Sequence, residues 1–380
     1  MLYAASPLFN GNADYAKFAN EDGTLLFAPK DDSKWGKAAA AAKEAIDKIE
    51  GSSYYGLYYS DEPDNGYRNY MELFLPSKKW NKEYIFARNQ GTGYSDNIHQ
   101  EKCMAANGMG GWSGLCPTQE LVDAYEMANG STPIIGYNAD GTPIINGASG
   151  YSETGFAATA GKHYPAGVYN MYVGREPRFY ASINFNGQQW RGRQLEFWQG
   201  GKDGINVSKV DYCCTGYLLR KTADEGVDVI NGKGGMKEAS ILFRVGSLYL
   251  DYAEALNEAE GPVDDVYKYV DAIRKRAGLP GLAKGLDKDK MRERIQHERQ
   301  IELAFEAGHR YFDCHRWKIA EKTDNGYMHG MNITATNKVD YSKRSTVGDS
   351  RVFEKKHYLF PIPQSEMDKR IGLVQSPYWE

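Results

Sequence analysis

A chain of 380 residues, 41% hydrophobic and 25% charged, is long enough to bury a large core. Its net charge of −4 gives no electrostatic reason to expect nucleic acid as a partner, and no apolar run approaches the roughly 20 residues that cross a bilayer as a helix. The unusual entries in the composition are 28 Tyr, 41 Gly and 7 Trp, which suit long ordered loops and wet binding surfaces.

Met1 to Phe9 has neither the basic segment nor the cleavage site of a signal peptide. It reads as the last turns of a helix, so the chain is expected to begin inside a domain. Ser33 is placed to N-cap a helix over 34–50, where Trp35, Ala39, Ala42, Ile46 and Ile49 form an apolar stripe and Gly51 stops it. Glu83 to Ala87 reads as a buried strand and Gly91 to Gly114 as a long loop. Pro117 opens a short helix, Thr118 to Met127.

From 130 to 238 glycine and proline punctuation recurs without an apolar helical stripe, and short strands are expected at Arg178–Phe185 and Tyr217–Lys221. Helical periodicity returns over 240–260, 263–277 and 288–307. Two stripes on the first of these, Ile241, Val245, Leu248, Tyr252 beside Leu242, Tyr249, Ala253, Leu256, call for neighbours on both sides. The last 30 residues read as extended and bounded by prolines.

Glu298, Glu302 and Glu306 share one helix face, and paired carboxylates are what a glycosidase requires. They also continue the stripe of Met291, Ile295 and Phe305. The sequence therefore favours a buried carboxylate–guanidinium network, with Arg274, Arg276, Arg299 and Arg310 as the available cations. No HExxH, GxSxG, phosphate-binding GxxxxGK[ST] or dinucleotide GxGxxG pattern is present, so no cofactor or metal is expected. The five cysteines lack metal-site spacing. They read as unpaired thiols, with a Cys103–Cys116 bridge as the alternative.

Several ordered motifs carry a resemblance. Phe243-Arg244-Val245, Tyr249-Leu250-Asp251-Tyr252-Ala253-Glu254-Ala255-Leu256-Asn257 and Ile273-Arg274-Lys275-Arg276-Ala277-Gly278-Leu279 resemble the SusD/RagB family. So do His297-Glu298-Arg299, Glu302-Leu303-Ala304-Phe305-Glu306, Gly308-His309-Arg310-Tyr311-Phe312-Asp313 and the closing Phe360-Pro361-Ile362-Pro363. Arg175-Glu176-Pro177-Arg178-Phe179-Tyr180 falls in the matching order upstream. The resemblance implies a mainly α fold, a tetratricopeptide-like helical scaffold with an irregular, loop-rich C-terminal subdomain. The family's lipoprotein signal and first helical hairpins are not in this sequence, so the N-terminal hairpins are read as missing.

On that basis residues 1–60 end the N-terminal helical part and 61–238 form an aromatic, Gly-rich ligand-binding subdomain. Residues 239–320 supply helical hairpins and 321–380 an extended C-terminal segment. The implied role is non-catalytic: a glycan is bound at a bacterial outer-membrane surface and delivered to a SusC-like TonB-dependent transporter, the membrane being reached through a lipid anchor outside this chain. The rival readings are a glycoside hydrolase with an acid pair in the middle region and a peptide-binding tetratricopeptide scaffold.

For the ligand site, the sequence points to large rings where no periodicity calls for them. Trp190 comes first, then Trp198 and Trp112, with Asn186, Gln188, Gln189, Arg191 and Arg193 as a polar rim around Trp190. Trp35 and Trp317 read as core and Trp379 ends the chain, while Trp80 has no assigned place.

Overall fold

The computed structural model describes residues 1–89, 94–232 and 239–379. Among these, the helices of six residues or more begin with α1 (Ser33–Glu50), α2 (Gly66–Leu73), α3 (Tyr94–Met104), α4 (Gln119–Ala124) and α5 (Pro177–Ser182). They continue with α6 (Val245–Glu260), α7 (Asp264–Arg276), α8 (Lys288–Glu302) and α9 (His309–Arg316). The strands all pair two by two and antiparallel. β1 (Tyr84–Asn89) pairs with β8 (Ala239–Arg244), β2 (Ile134–Tyr137) with β3 (Pro143–Ile145), and β4 (Ile183–Phe185) with β7 (Tyr217–Leu219). β5 (Gln189–Trp190) pairs with β6 (Arg193–Gln194), and β9 (Gly326–Met331) with β10 (Arg344–Arg351). The fold is mainly α.

α1 packs on α6, α7 follows α6 as its neighbour, and α8 closes the group. Ile46 and Ile49 from the first helix meet Val245, Leu248, Tyr249, Ile273, Met291 and Ile295 in one apolar core. No single stripe of this kind buries itself, so sequence-distant helices assemble as expected. A second core lies in the middle of the chain, around Tyr125, Tyr172, Phe179, Phe185, Trp190 and Tyr217. α8 serves both: Met291 and Ile295 enter the first core and Ile301 the second.

Between the cores lies a buried ionic layer. Glu298 and Glu302 accept from Arg178 at 2.5 and 3.1 Å, and Glu298 also from Arg274 at 3.1 Å. Glu302 further accepts from Arg244 at 2.9 Å and from Arg276. Lys221 donates to Glu306 at 2.6 Å. Partner number decides each carboxyl's behaviour. Burial pushes Glu302 up, but Arg276, Arg244, Arg178 and Lys221 outweigh it and hold the group at about 2. Glu176 has one guanidinium, Arg178, and sits near Glu126 and Glu298; there burial prevails and the carboxyl is raised.

The expected network is therefore present, with different membership. Arg299 turns instead to Asp251 and Asp313, at 2.5 and 2.8 Å, and Arg310 makes no ion pair among the described residues. Arg178, Arg244 and Lys221 take the places assigned to them.

Several boundaries depart from the sequence reading. Residues 239–244 are strand, not the start of the helix expected over 240–260, because Ile241 and its neighbours pair with β1; a short apolar run has no periodicity to distinguish the two. β1 itself is only half covered, Phe86 being 62% exposed. The loop expected from Gly91 to Gly114 contains α3, and residues 90–93 lie outside the described residues. Arg178–Ser182, expected as strand, is helical because Pro177 occupies a first helical position, where its missing N–H costs nothing. The 118–127 helix covers only Gln119–Ala124.

α8 ends at Glu302 and not near 307. Its last carbonyl is taken by side chains: Tyr70 Oη donates to Glu302 O at 2.9 Å and Lys221 Nζ to the same oxygen at 3.2 Å, while Lys221 also donates to Ala304 O, just beyond the helix, at 2.8 Å. The chain then turns through left-handed Phe305 and Ala307. The closing segment runs extended through Phe360–Pro363 but also carries a helical turn, Gln364–Met367.

Candidate functional site

Two adjoining cavities of about 330 and 320 Å³ share Tyr67, Lys162, His163 and Tyr164 and form one groove. Several separate stretches of chain build it. Tyr67 is the second residue of α2, whose N-cap Asn65 accepts from Arg68 N at 3.3 Å. Gly66 lets that helix start directly against the end of α7, since a Cβ there would stand 2.2 Å from Ala277 O.

His163 and Tyr164 ride on a loop closed at its base by Ala157 and Val168, whose backbones join at 2.8 Å. Within it Gly161 N donates to Tyr164 O at 2.9 Å, and the Tyr164 ring folds back over the glycine. A Cβ on Gly161 would meet that ring at 2.4 Å, so a larger residue there displaces the ring. Gln188 and Gln189 come from the β4–β5 connection, and Arg220 follows β7.

The rings are stacked in order. Tyr67 lies on His163 at 4.7 Å between centroids, and His163 on Tyr180 at 5.2 Å. Tyr164 stacks on Tyr180 at 6.2 Å. Arg220 donates to Tyr67 Oη at 2.5 Å and to Tyr180 O at 2.9 Å. Burial, followed by the charges of Lys162 and Arg220, lowers the His163 imidazole to about 4, so at neutral pH it is an uncharged flat ring. Gln188 is buried, its Oε1 accepts from Phe185 N at 3.2 Å, and its Nε2 has no hydrogen-bond partner among the described residues. The groove is thus lined by aromatic rings edged by donors, a composition that suits a ligand with both C–H faces and oxygen acceptors.

Of the residues singled out from sequence, Gln189 lines this groove and Trp190 lies below it. Strand alternation explains the split: on β5 Gln189 points out while Trp190 points in. Trp190 is only 2% exposed and is roofed by the Arg220 guanidinium 4.7 Å from its ring centre. In this structure it presents no face to solvent. Arg191 occupies the β5–β6 turn at positive φ, beside Gly192, and pairs with Glu101 at 2.9 Å.

Trp198 is half-buried under Lys338, and Trp112, 37% exposed, packs by Lys102 and His99; neither lines the groove. Trp317 is buried as expected, and Trp35 is partly buried against the helical core.

Tyr67, His163, Tyr164 and Arg220 were not found from sequence, whereas Gln188, read there as part of the Trp190 rim, does line the groove. The available signal was the one applied to tryptophan, a ring stranded among glycines, and Gly161-Lys162-His163-Tyr164-Pro165-Ala166-Gly167 carries it. The cysteines are all free, the reading the sequence favoured over a Cys103–Cys116 bridge, and Cys116 Sγ stands 3.9 Å from Cys213 Sγ. The acid row Glu298, Glu302 and Glu306 is consumed in ion pairs and lines none of the groove. Among the described residues no three His, Cys, Asp or Glu side chains are grouped to hold a metal, and no helix is long and apolar enough to cross a membrane.

Comparison with known proteins places these features. SusD-like protein P25 of Formosa agariphila is 42% identical over 82 residues, which make up 21% of this chain and 15% of that protein. The matched stretch is thus far below two thirds of that relative's length. The solved structure of BT4246 superposes with a TM-score of 0.79 at 26% identity, covering 100% of this chain and 69% of its own. A SusD-like protein (BF3747) from Bacteroides fragilis gives 0.66 at 27% identity, over 92% of this chain and 62% of that one. The model of the SusD family matches residues 75–379, well over half of the sequence, and this chain belongs to that family.

Proposed function

We propose that this protein binds a glycan, without cleaving it, in the groove of Tyr67, His163, Tyr164, Gln189 and Arg220. The observation that carries the reading is the stack Tyr67–His163–Tyr180 beside unspent side-chain donors. A pyranose presents a C–H face to such rings and hydroxyl acceptors to such donors. Family membership supports the wider role: attachment to the outer-membrane surface of a bacterium through a lipid, and transfer of the glycan to a SusC-like TonB-dependent transporter.

Isothermal titration against a panel of plant, host and storage glycans tests the binding. Tyr67→Ala is expected to weaken the glycan that binds by roughly tenfold, about 1.4 kcal/mol. An unchanged affinity in a folded Tyr67→Ala protein would move the site elsewhere, with Trp198 and Trp112 the next rings to replace. Reducing-end release from the bound glycan would overturn the non-catalytic reading. Failure to co-purify with a SusC-like barrel would overturn the transfer step.

A further inference from the structure

We propose that the glycan taken by this groove is anionic, carrying uronate carboxylates or sulfate esters. The inference rests on the glycan-binding reading and adds the chemical class of the sugar. Its basis is an imbalance of charge and hydrogen-bonding capacity around the cavity shared by Lys162, His163, Gln188, Gln189 and Arg220: no carboxylate lines it. Among the described residues Lys162 and Arg220 make no ion pair. Arg220 spends its hydrogen bonds on a phenol and a backbone carbonyl, and rings of Tyr67 and Trp190 flank its guanidinium at 5.5 and 4.7 Å.

Two neighbouring guanidiniums are paired, Arg191 with Glu101 and Arg193 with Asp203, at 2.9 and 2.6 Å. Arg175, on the adjoining cavity, resembles Arg220 in bonding only backbone carbonyls, those of Met171, Val122 and Tyr125. A half-sheltered guanidinium without a counter-ion is costly, and an incoming anion supplies one. Gln188 adds an independent sign. Its Nε2 is a buried donor without a partner at the same wall, and buried donors are rarely left so.

Of the acids nearby, one is already engaged. Glu62, whose charge interacts with Lys162, already accepts from Asn65 at 2.8 Å and Arg68 at 2.5 Å. Asp64 lines the adjoining cavity, and Glu225 acts on Tyr67 from a distance. The low proton affinity of His163 comes first from burial, and the charges of Lys162 and Arg220 add to it in the same direction.

Matched glycans that differ only in charge make the test: polygalacturonate against its full methyl ester, and κ-carrageenan against its desulfated form, with glycogen as a neutral storage glucan. In one pair the charged member is expected to bind roughly tenfold tighter than its neutral counterpart. High salt should narrow the gap, because exposed charge pairs are screened. Lys162→Gln and Arg220→Gln should each remove most of it, and Arg220→Lys should keep part. Which pair responds separates carboxylate from sulfate.

Equal binding of charged and neutral members overturns the inference, as does charged binding that survives both glutamine variants in folded protein. If a neutral glycan alone binds and Tyr67→Ala weakens it, only the charge assignment falls. If none of these glycans binds, the glycan-binding reading falls with it.

Discussion

Arg178 and Glu302 lie 3.1 Å apart with both side chains wholly removed from solvent, one contributed by the irregular middle of the chain and the other by the last long scaffold helix. The pair fastens the two apolar cores to each other across a charged layer. Removing one member leaves the guanidiniums of Arg178, Arg244 and Arg276 short of a counter-ion in a dry setting. Glu302→Ala is therefore expected to cost about 3–5 kcal/mol, the range for orphaning a buried charge. Urea denaturation checks it. A loss under about 1 kcal/mol would mean that the layer is hydrated or loosely held.

The same carboxylate gives stability a pH dependence with a definite sign. Burial opposes ionisation of Glu302, yet Arg276, Arg244, Arg178 and Lys221 hold it at about 2 against an ordinary value of 4.5. A depressed folded-state value means that the stabilisation is complete above the unfolded-state value. It is lost as pH falls from about 4.5 toward 2, where the unfolded chain takes up the proton first. Unfolding free energies measured at steps through that window should fall steeply in the wild type. Glu302→Gln, less stable at neutral pH, should show a shallower slope, and parallel slopes would discount Glu302 as a source.

The tryptophans separate structure from binding. Trp190 fills the middle core beneath Arg220, so Trp190→Ala should cost about 3–5 kcal/mol, and any loss of ligand should track loss of fold. Trp112 is 37% exposed, and Trp112→Ala should change stability by less than about 0.5 kcal/mol. Thermal melts alongside titrations distinguish the two. A Trp190→Ala protein with wild-type melting and no binding would put that ring in contact with the sugar.

The scaffold was legible because helices of 13 to 18 residues repeat their apolar positions often enough to declare a face, as Ile46 and Ile49 or Val266 and Ile273 do. The ionic layer was legible because Glu298 and Glu302 continue the stripe of Met291 and Ile295. Its partners were not, since Arg178 and Lys221 reach it across 124 and 85 residues of chain from the carboxylates they bind. The groove was least legible. Residues 67, 163, 188 and 220 meet only through the packing of short segments, and no local period records that meeting. The tryptophan signal led to Gln188 and Gln189 in the groove, with Trp190 behind the wall, because a two-residue strand turns Gln189 and Trp190 to opposite sides.

Gly161 offers the cleanest separation of groove from scaffold. It sits on an exposed loop turn, and the atoms nearest to a Cβ there belong to the Tyr164 ring, which packs at the margin of the middle core: a Cβ would meet that ring at 2.4 Å and its hydroxyl at 2.7 Å. Gly161→Ala must therefore push that ring off its stack with Tyr180, now at 6.2 Å. Stability should fall by no more than about 1 kcal/mol, because the displaced ring is half-exposed and the loop base at Ala157 and Val168 is untouched. Glycan affinity should drop by roughly tenfold, since the ring supplies a wall of both cavities. Titration and melting of the same preparation check both halves. Wild-type affinity in Gly161→Ala would remove Tyr164 from the binding surface and leave Tyr67 and His163 to carry it.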